Sequence, residues 1–262
     1  VSATRGAAPV VERTRAVETV LDPYRVLFPL GIAFAIVGSA PWVFYAAGSP
    51  GYPGPLHRAL MIQGFETSFV LGFLLTSIPA FTHGARCRPW ELAGAALGPL
   101  VFGVAAFAGH EALAQGAFVA TMLWLVLAAW RRVVGAKLAP PEEFLFVGVG
   151  LALGLAGGVL QWGAALGLWQ EPSPRLGVHL VSLGMVLALV LGLGTMLVPV
   201  FAGMRDPLAL PGIAAPHERP NRRRLYIALA TVLVLSFAAD ALSWPAFGAV
   251  ARLLVAATLG LL

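Results

Sequence analysis

The 262-residue chain is 59% hydrophobic and only 11% charged, with a mean hydropathy of +0.85. Apolar character spread over the whole length excludes a water-soluble globular body and indicates a polytopic membrane protein. A formal charge of +5 would suggest nucleic acid in a soluble chain, but here the arginines fall between apolar segments, where they set membrane orientation, so no nucleic-acid partner is expected and the lipid bilayer is the first partner.

Residues 1–22 read as a polar tail without the apolar stretch of a cleavable signal. A spanning helix needs about 20 apolar residues at about 1.5 Å each. On that measure helices are expected at about 26–47, 57–80, 91–109, 112–130, 143–168, 177–202 and 225–243, with a partial eighth from about 246. Residues 48–55 (GSPGYPGP), Pro140-Pro141, Pro172 with Pro174, and Pro207 to Pro220 separate them, since proline and glycine resist helix. The chain starts at Val1 and stops at Leu262 within an apolar run, and is expected to be incomplete at both ends. No repeat is evident by eye. The expected fold class is all-α: one transmembrane helix bundle over residues 23–262.

Charge provides an independent check on this scheme. Taking the tail and every second loop as one side collects 14 of the 17 Lys and Arg residues, leaving only Arg58, Arg175 and Arg252 opposite. The positive-inside rule then places the N-terminus in the cytoplasm. Arg222 to Arg224 read as part of that signal, with anionic-lipid contact as the alternative. Cys87 is the only cysteine, so neither an internal disulfide nor a cysteine-based metal cluster can form.

With that orientation His57, His110 and His179 lie outward, while His83 and His217 fall in cytoplasmic loops as surface residues. Helical spacing of about 100° per residue puts Met61, Gly64, Ser68 and Leu75 on the face of His57 and turns Glu66 away from it. Gly64 leaves room for a flat ring against the helix. Leu183, Val186, Val190 and Leu197 form an apolar wall below His179. Two histidines at matched depth, with a glycine gap and an apolar wall between, would suit bis-histidine haem or a His-ligated metal. A histidine at a helix end also fits a headgroup-zone hydrogen bond with no ligand at all.

Glu66 lies near mid-membrane with Gln63, Thr67 and Thr76 on nearby turns. It reads either as a proton or polar relay with Gln63, or as a helix-to-helix hydrogen bond. Asp240 is expected to cap a helix or face outer water. Gly94 and Gly98, Gly150 and Gly154, Gly154 and Gly158, and Gly163 and Gly167 have the spacing of close helix packing, a pattern that 30 glycines also produce by chance. Gln161 and Trp162, with Trp42, Trp169 and Trp244, suit an interfacial belt, and Gln161 could instead donate to a ligand near the histidines.

Residue identity adds a resemblance. Pro23-Tyr24-Arg25 with Phe28, His57 with Gly64-Phe65, the run from Gly72 to Pro79 (GFLLTSIP), and His179 with Gly184 together resemble the NnrS family, over roughly Pro23 to Gly203. Those are polytopic bacterial membrane proteins regarded as containing haem and copper and linked to nitric oxide stress. The resemblance implies a bacterial inner (cytoplasmic) membrane location. It also implies a haem-binding protein of the nitric oxide response or membrane redox balance, with haem b held by His57 and His179 and lined by Gly64 and Met61. Copper enters as a possible second metal, and the partner implied is a membrane redox protein or a larger membrane complex. No catalytic turnover is implied. Where the family commonly carries Trp-His-x-His-Glu-Met, this chain has Leu56 to Met61 (LHRALM), with Ala59 in place of the second histidine. The family's helix count exceeds eight, which implies a shortened relative or a missing C-terminal half. Two other classes stay open: a cofactor-free permease or small-solute carrier using Glu66, Gln63 and Thr67, and a structural subunit of a larger membrane complex.

Overall fold

The computed structural model describes residues 22–138, 140–203, 220–241 and 244–260, and among them every regular element is helical. The polar tail up to residue 21 and His217 lie outside the described residues. The helices are α1 (Pro23–Ala46), α2 (Gly54–Ala59), α3 (Thr67–Thr82), α4 (Pro89–Phe107), α5 (Glu111–Val134), α6 (Phe144–Ala165), α7 (Ser173–His179), α8 (Val186–Phe201), α9 (Pro220–Ala241) and α10 (Pro245–Gly260). π-helical segments Leu60–Glu66 and Leu180–Met185 join α2 to α3 and α7 to α8. Seven helices are long and apolar enough to cross a membrane, Gly54–Thr82 and Ser173–Pro199 each counting as one, and α10 is a shorter apolar helix. The expected seven spans and partial eighth are therefore present, with ends shifted by a few residues.

Proline sets many of the starts. It occupies the first turn of α1, α2, α4 and α7, where the missing N–H has no helical partner to lose. α3 ends where His83 turns left-handed (φ 51°) and the Gly84 N–H returns to the Pro79 carbonyl at 3.2 Å. His83 and His110 are exposed, as surface residues should be.

The structure reveals a repeat that eye alone misses. The π-segments start at Leu60 and Leu180, and the same shift of 120 residues pairs Leu56 with Leu176, Gly64 with Gly184, Gly72 with Gly192, Pro79 with Pro199 and Phe81 with Phe201. It also pairs Gly38 with Gly158 and Trp42 with Trp162 on the preceding helices. In packing, α6 takes the place of α1, α7 to α8 that of α2 to α3, and the α9–α10 hairpin that of α4–α5. Two apolar cores follow, one centred on Leu71, Leu74, Phe102 and Phe118, the other on Phe146, Tyr226, Leu233 and Phe237. α6 contributes to both, through Val147 and Leu151 on one and Phe146 and Leu153 on the other. The repeat is hard to see because most paired positions require only some apolar residue.

Asp240, expected to cap a helix or face water, instead forms an ion pair with Arg252 of α10 at 2.8 Å, both side chains about nine-tenths buried. Arg252 therefore closes the α9–α10 hairpin. Three of the four glycine pairs pack helices: Gly94 and Gly98 receive Trp124 and Thr121 of α5, Gly150 and Gly154 receive Leu189 and Met185, and Gly158 receives Phe118, whereas Gly167 is a turn residue (φ 73°) with open space beside it. α6 also runs close to α7, where a methyl group at Gly157 would stand 2.7 Å from the Gly177 carbonyl oxygen.

Candidate functional site

His57 and His179 each sit at the entrance of a π-helical segment, and the two segments lie against each other. A π-turn widens the helix and loosens its hydrogen-bond ladder, and such turns are frequent at functional sites. Its mark is visible in the first segment, where the Thr67 hydroxyl donates to the Ile62 carbonyl five residues back at 3.0 Å. Gly64 and Gly184 occupy equivalent places in the two segments. The notch beside Gly64 holds the Phe34 ring of α1, 2.7 Å from where a Cβ would stand. The notch beside Gly184 takes Phe237 of α9 and Leu153 at 3.3 and 3.2 Å. The flat ring for which Gly64 leaves room is thus one the protein itself supplies.

The half-buried His57 is turned toward α1. Its Nδ1 lies 2.9 Å from the Gly38 carbonyl oxygen, and its ring packs edge-on to Trp42 at 5.8 Å between centroids. A carbonyl only accepts, so Nδ1 carries the proton and, in the neutral ring, Nε2 keeps the lone pair. That is the arrangement in which a second partner orients a metal-ligating imidazole. Met61 joins it, since its Sδ lies 3.5 Å from the position of a Cβ on Gly38. His57 and Met61 therefore gather over one small residue, as their shared face requires.

His179 is exposed, and its ring has no hydrogen-bond partner among the described residues. It lines a cleft of about 440 Å³ with Arg58, Glu171, Pro174, Arg175 and Val178. Arg175 and Glu171 form an exposed ion pair at 3.7 Å. Arg58, the residue after His57, brings the end of α2 to the same cleft, whereas the His57 ring faces Gly38 and Trp42. The structure thus gathers Arg58, Arg175 and His179 at one mouth, with His57 beside it.

The repeat gives these positions a second meaning. Under the 120-residue shift His179 corresponds to Ala59, and His57 to Gly177. The helix junction closed in the first unit by His57 donating to Gly38 is closed in the second by Gln161 donating to the Gly177 carbonyl at 3.4 Å. Gln161, a candidate ligand donor, has this backbone partner. The histidine absent at Ala59 is present at the equivalent place of the other unit.

The mid-membrane polar groups divide. Gln63 and Gln115 of α5 exchange two amide hydrogen bonds, 2.8 and 3.2 Å, and both are buried. Glu66, half-buried at the end of the π-segment, has no hydrogen bond or ion pair among the described residues. Sequence reading overlooked Gln115, and with it the reason for Gln63. It also overlooked the buried pair between Glu91 and Arg132, 2.6 Å apart, on α4 and α5. The signal available was an acidic and a basic residue at facing ends of one helical hairpin.

Among the described residues no three His, Cys, Asp or Glu side chains gather as a metal-binding group. A haem iron asks less of the protein, since the porphyrin supplies its equatorial ligands and side chains only the axial ones. Set against that lesser demand, the structure offers one oriented imidazole, one unpartnered imidazole in a cleft, a thioether beside the first, and two arginines at the mouth. Neither the curated proteins nor the solved structures yield a match to this chain. The sequence model of the NnrS protein family, however, matches residues 19–262, the polytopic helical body with both π-helical spans, and the chain belongs to the NnrS family.

Proposed function

We propose that this NnrS-family chain is a haem-binding protein of the bacterial cytoplasmic membrane, acting in the nitric oxide response or in membrane redox balance. The observation that carries the reading is His57, held through Nδ1 by the Gly38 carbonyl so that Nε2 is the free nitrogen. His179 would supply the second imidazole from the cleft, and Met61 stands close enough to His57 to share its surroundings. Arg58 and Arg175 would pair the two haem propionates, as guanidinium groups pair carboxylates elsewhere. The haem would be b-type, because no Cys-x-x-Cys-His attachment motif exists. Bound there, it would contribute a redox-active iron whose potential follows axial ligation and burial. Copper remains compatible through the imidazole and thioether of His57 and Met61, which suit that metal.

The test is a visible spectrum of detergent-purified protein expressed with haem supplied. A Soret band, a sharpened α band after dithionite, and a Soret shift when nitric oxide is added are expected. A colourless protein contradicts the proposal.

Glu66 favours a second reading, a carrier path, because it is the one mid-membrane carboxylate among the described residues and is left without a partner. Gln63 and Thr67 weaken that path, since both hydrogen bond within the bundle. Solute or proton flux in vesicles that is unchanged in Glu66→Gln removes this reading.

A further inference from the structure

At the opposite end of the spans from His57, the loop between α3 and α4, the start of α4 and the end of α5 line a second cleft. The Thr82 carbonyl at the end of α3 accepts from the backbone N–H groups of Lys137 and Leu138, at 3.1 and 3.2 Å, which ties the chain after α5 to α3. The cleft holds about 90 Å³, and its ionic lining is Arg86, Arg88, Arg131, Arg132 and Glu91.

Four guanidinium groups face one carboxylate, and that carboxylate is already engaged. Its Oε2 accepts from the Arg88 backbone N–H at 2.8 Å and from Arg132 Nη2 at 2.6 Å, while Oε1 lies 3.9 Å from Arg131 Nη1. The guanidinium groups of Arg86 and Arg88 have no ion-pair partner among the described residues. Arg132 is 5% exposed, and its Nε is buried with no hydrogen bond. An unmatched buried donor is unfavourable, and like charges around one small cleft repel, so an anion would complete this arrangement.

We infer that this cleft binds a phosphate group through its arginines. Guanidinium forks match phosphate oxygens, and the chemistry is the same for a lipid headgroup or for free phosphate. The indoles favour the lipid: Trp90 and Trp130, next in the chain to the lining residues Glu91 and Arg131, are 55% and 66% exposed, and exposed tryptophan belongs at headgroup level. The site is independent of haem, which would lie toward the other membrane face.

Binding is measured by native mass spectrometry of the full chain in mild detergent, titrated with phosphatidylglycerol or phosphatidylcholine, with thermal unfolding in inorganic phosphate as a parallel arm. Phosphatidylglycerol should bind more tightly than phosphatidylcholine, and R86Q/R88Q should weaken it about twenty-fivefold, each arginine contributing about fivefold. R223Q/R224Q, which removes equal charge elsewhere, should leave it unchanged. If inorganic phosphate stabilises the wild type but not R86Q/R88Q and the two lipids bind alike, the site stands and its source is free phosphate. The inference is overturned if R86Q/R88Q alters neither arm, or if R223Q/R224Q weakens binding as much. Should R86Q/R88Q fail to fold, R131Q, at a largely exposed position, carries the same comparison.

Discussion

His57 Nδ1 stands 2.9 Å from the carbonyl oxygen of Gly38, and this contact joins the candidate ligand to the packing of the first two spans. Gly38 is also where Leu60 and Met61 press on α1, with a Cβ there only 3.1 Å from Leu60 Cβ. Gly38→Ala should separate α1 from the π-segment and lengthen the His57 contact. The expected result is a fall in haem content per protein at nearly unchanged expression, read from Soret absorbance against protein concentration. Full haem occupancy in Gly38→Ala would show that this contact does not orient the ligand.

The paired amides of Gln63 and Gln115 predict non-additive stability. Gln63→Leu or Gln115→Leu alone leaves one amide unmatched in a dry interior and should cost about 1–2 kcal/mol. The double substitution should cost less than the sum, since it removes both partners together. Unfolding titrations of the two single variants and the double variant measure this.

The ion pairs of Glu91 separate by burial. Arg132→Met strands a buried carboxylate and should destabilise the protein by about 3–5 kcal/mol. Arg131→Met, at a 62% exposed side chain 3.9 Å from the same carboxylate, should cost less than about 1 kcal/mol. Equal effects in thermal unfolding would refute the distinction.

Cys87, in the loop before α4, has its thiol pushed up to about 11, chiefly by burial, with Arg132 opposing and Glu91 adding to the shift. The unfolded thiol ionises at about 8.5. The rate of iodoacetamide alkylation of the folded protein should therefore keep rising with pH to about 11 instead of levelling off at about 8.5. The sign for stability follows: between those values the unfolded chain loses a proton that the folded chain keeps, so stability falls as pH rises. Cys87→Ser should abolish that part of the decline, and an unchanged alkaline profile would count against the burial of this thiol.

Hydropathy and proline made the eight helices legible, because span length and helix breakers are local properties. His57 and Met61 were legible together, because helical spacing alone puts them on one face. The π-segments were not, since a widened turn depends on how Gly64 and Gly184 meet Phe34 and Phe237 from other helices. Gln115 was equally hidden: its partner lies 52 residues away, and nothing near it in the chain reports the pairing. Asp240 looked like an end-of-helix group until α10 brought Arg252 to it. The correspondence of Ala59 with His179 needed the repeat, which conserved glycine and proline positions carry through a background of interchangeable apolar residues.

The most direct test of the central claim is haem stoichiometry, by pyridine haemochrome against protein concentration, in wild type, His57→Ala, His179→Ala and the exposed control His110→Ala. The account predicts bound haem in wild type and His110→Ala, with loss or an altered reduced spectrum in both His57→Ala and His179→Ala. Wild-type protein that carries no haem, or His57→Ala and His179→Ala proteins indistinguishable from wild type, would contradict it.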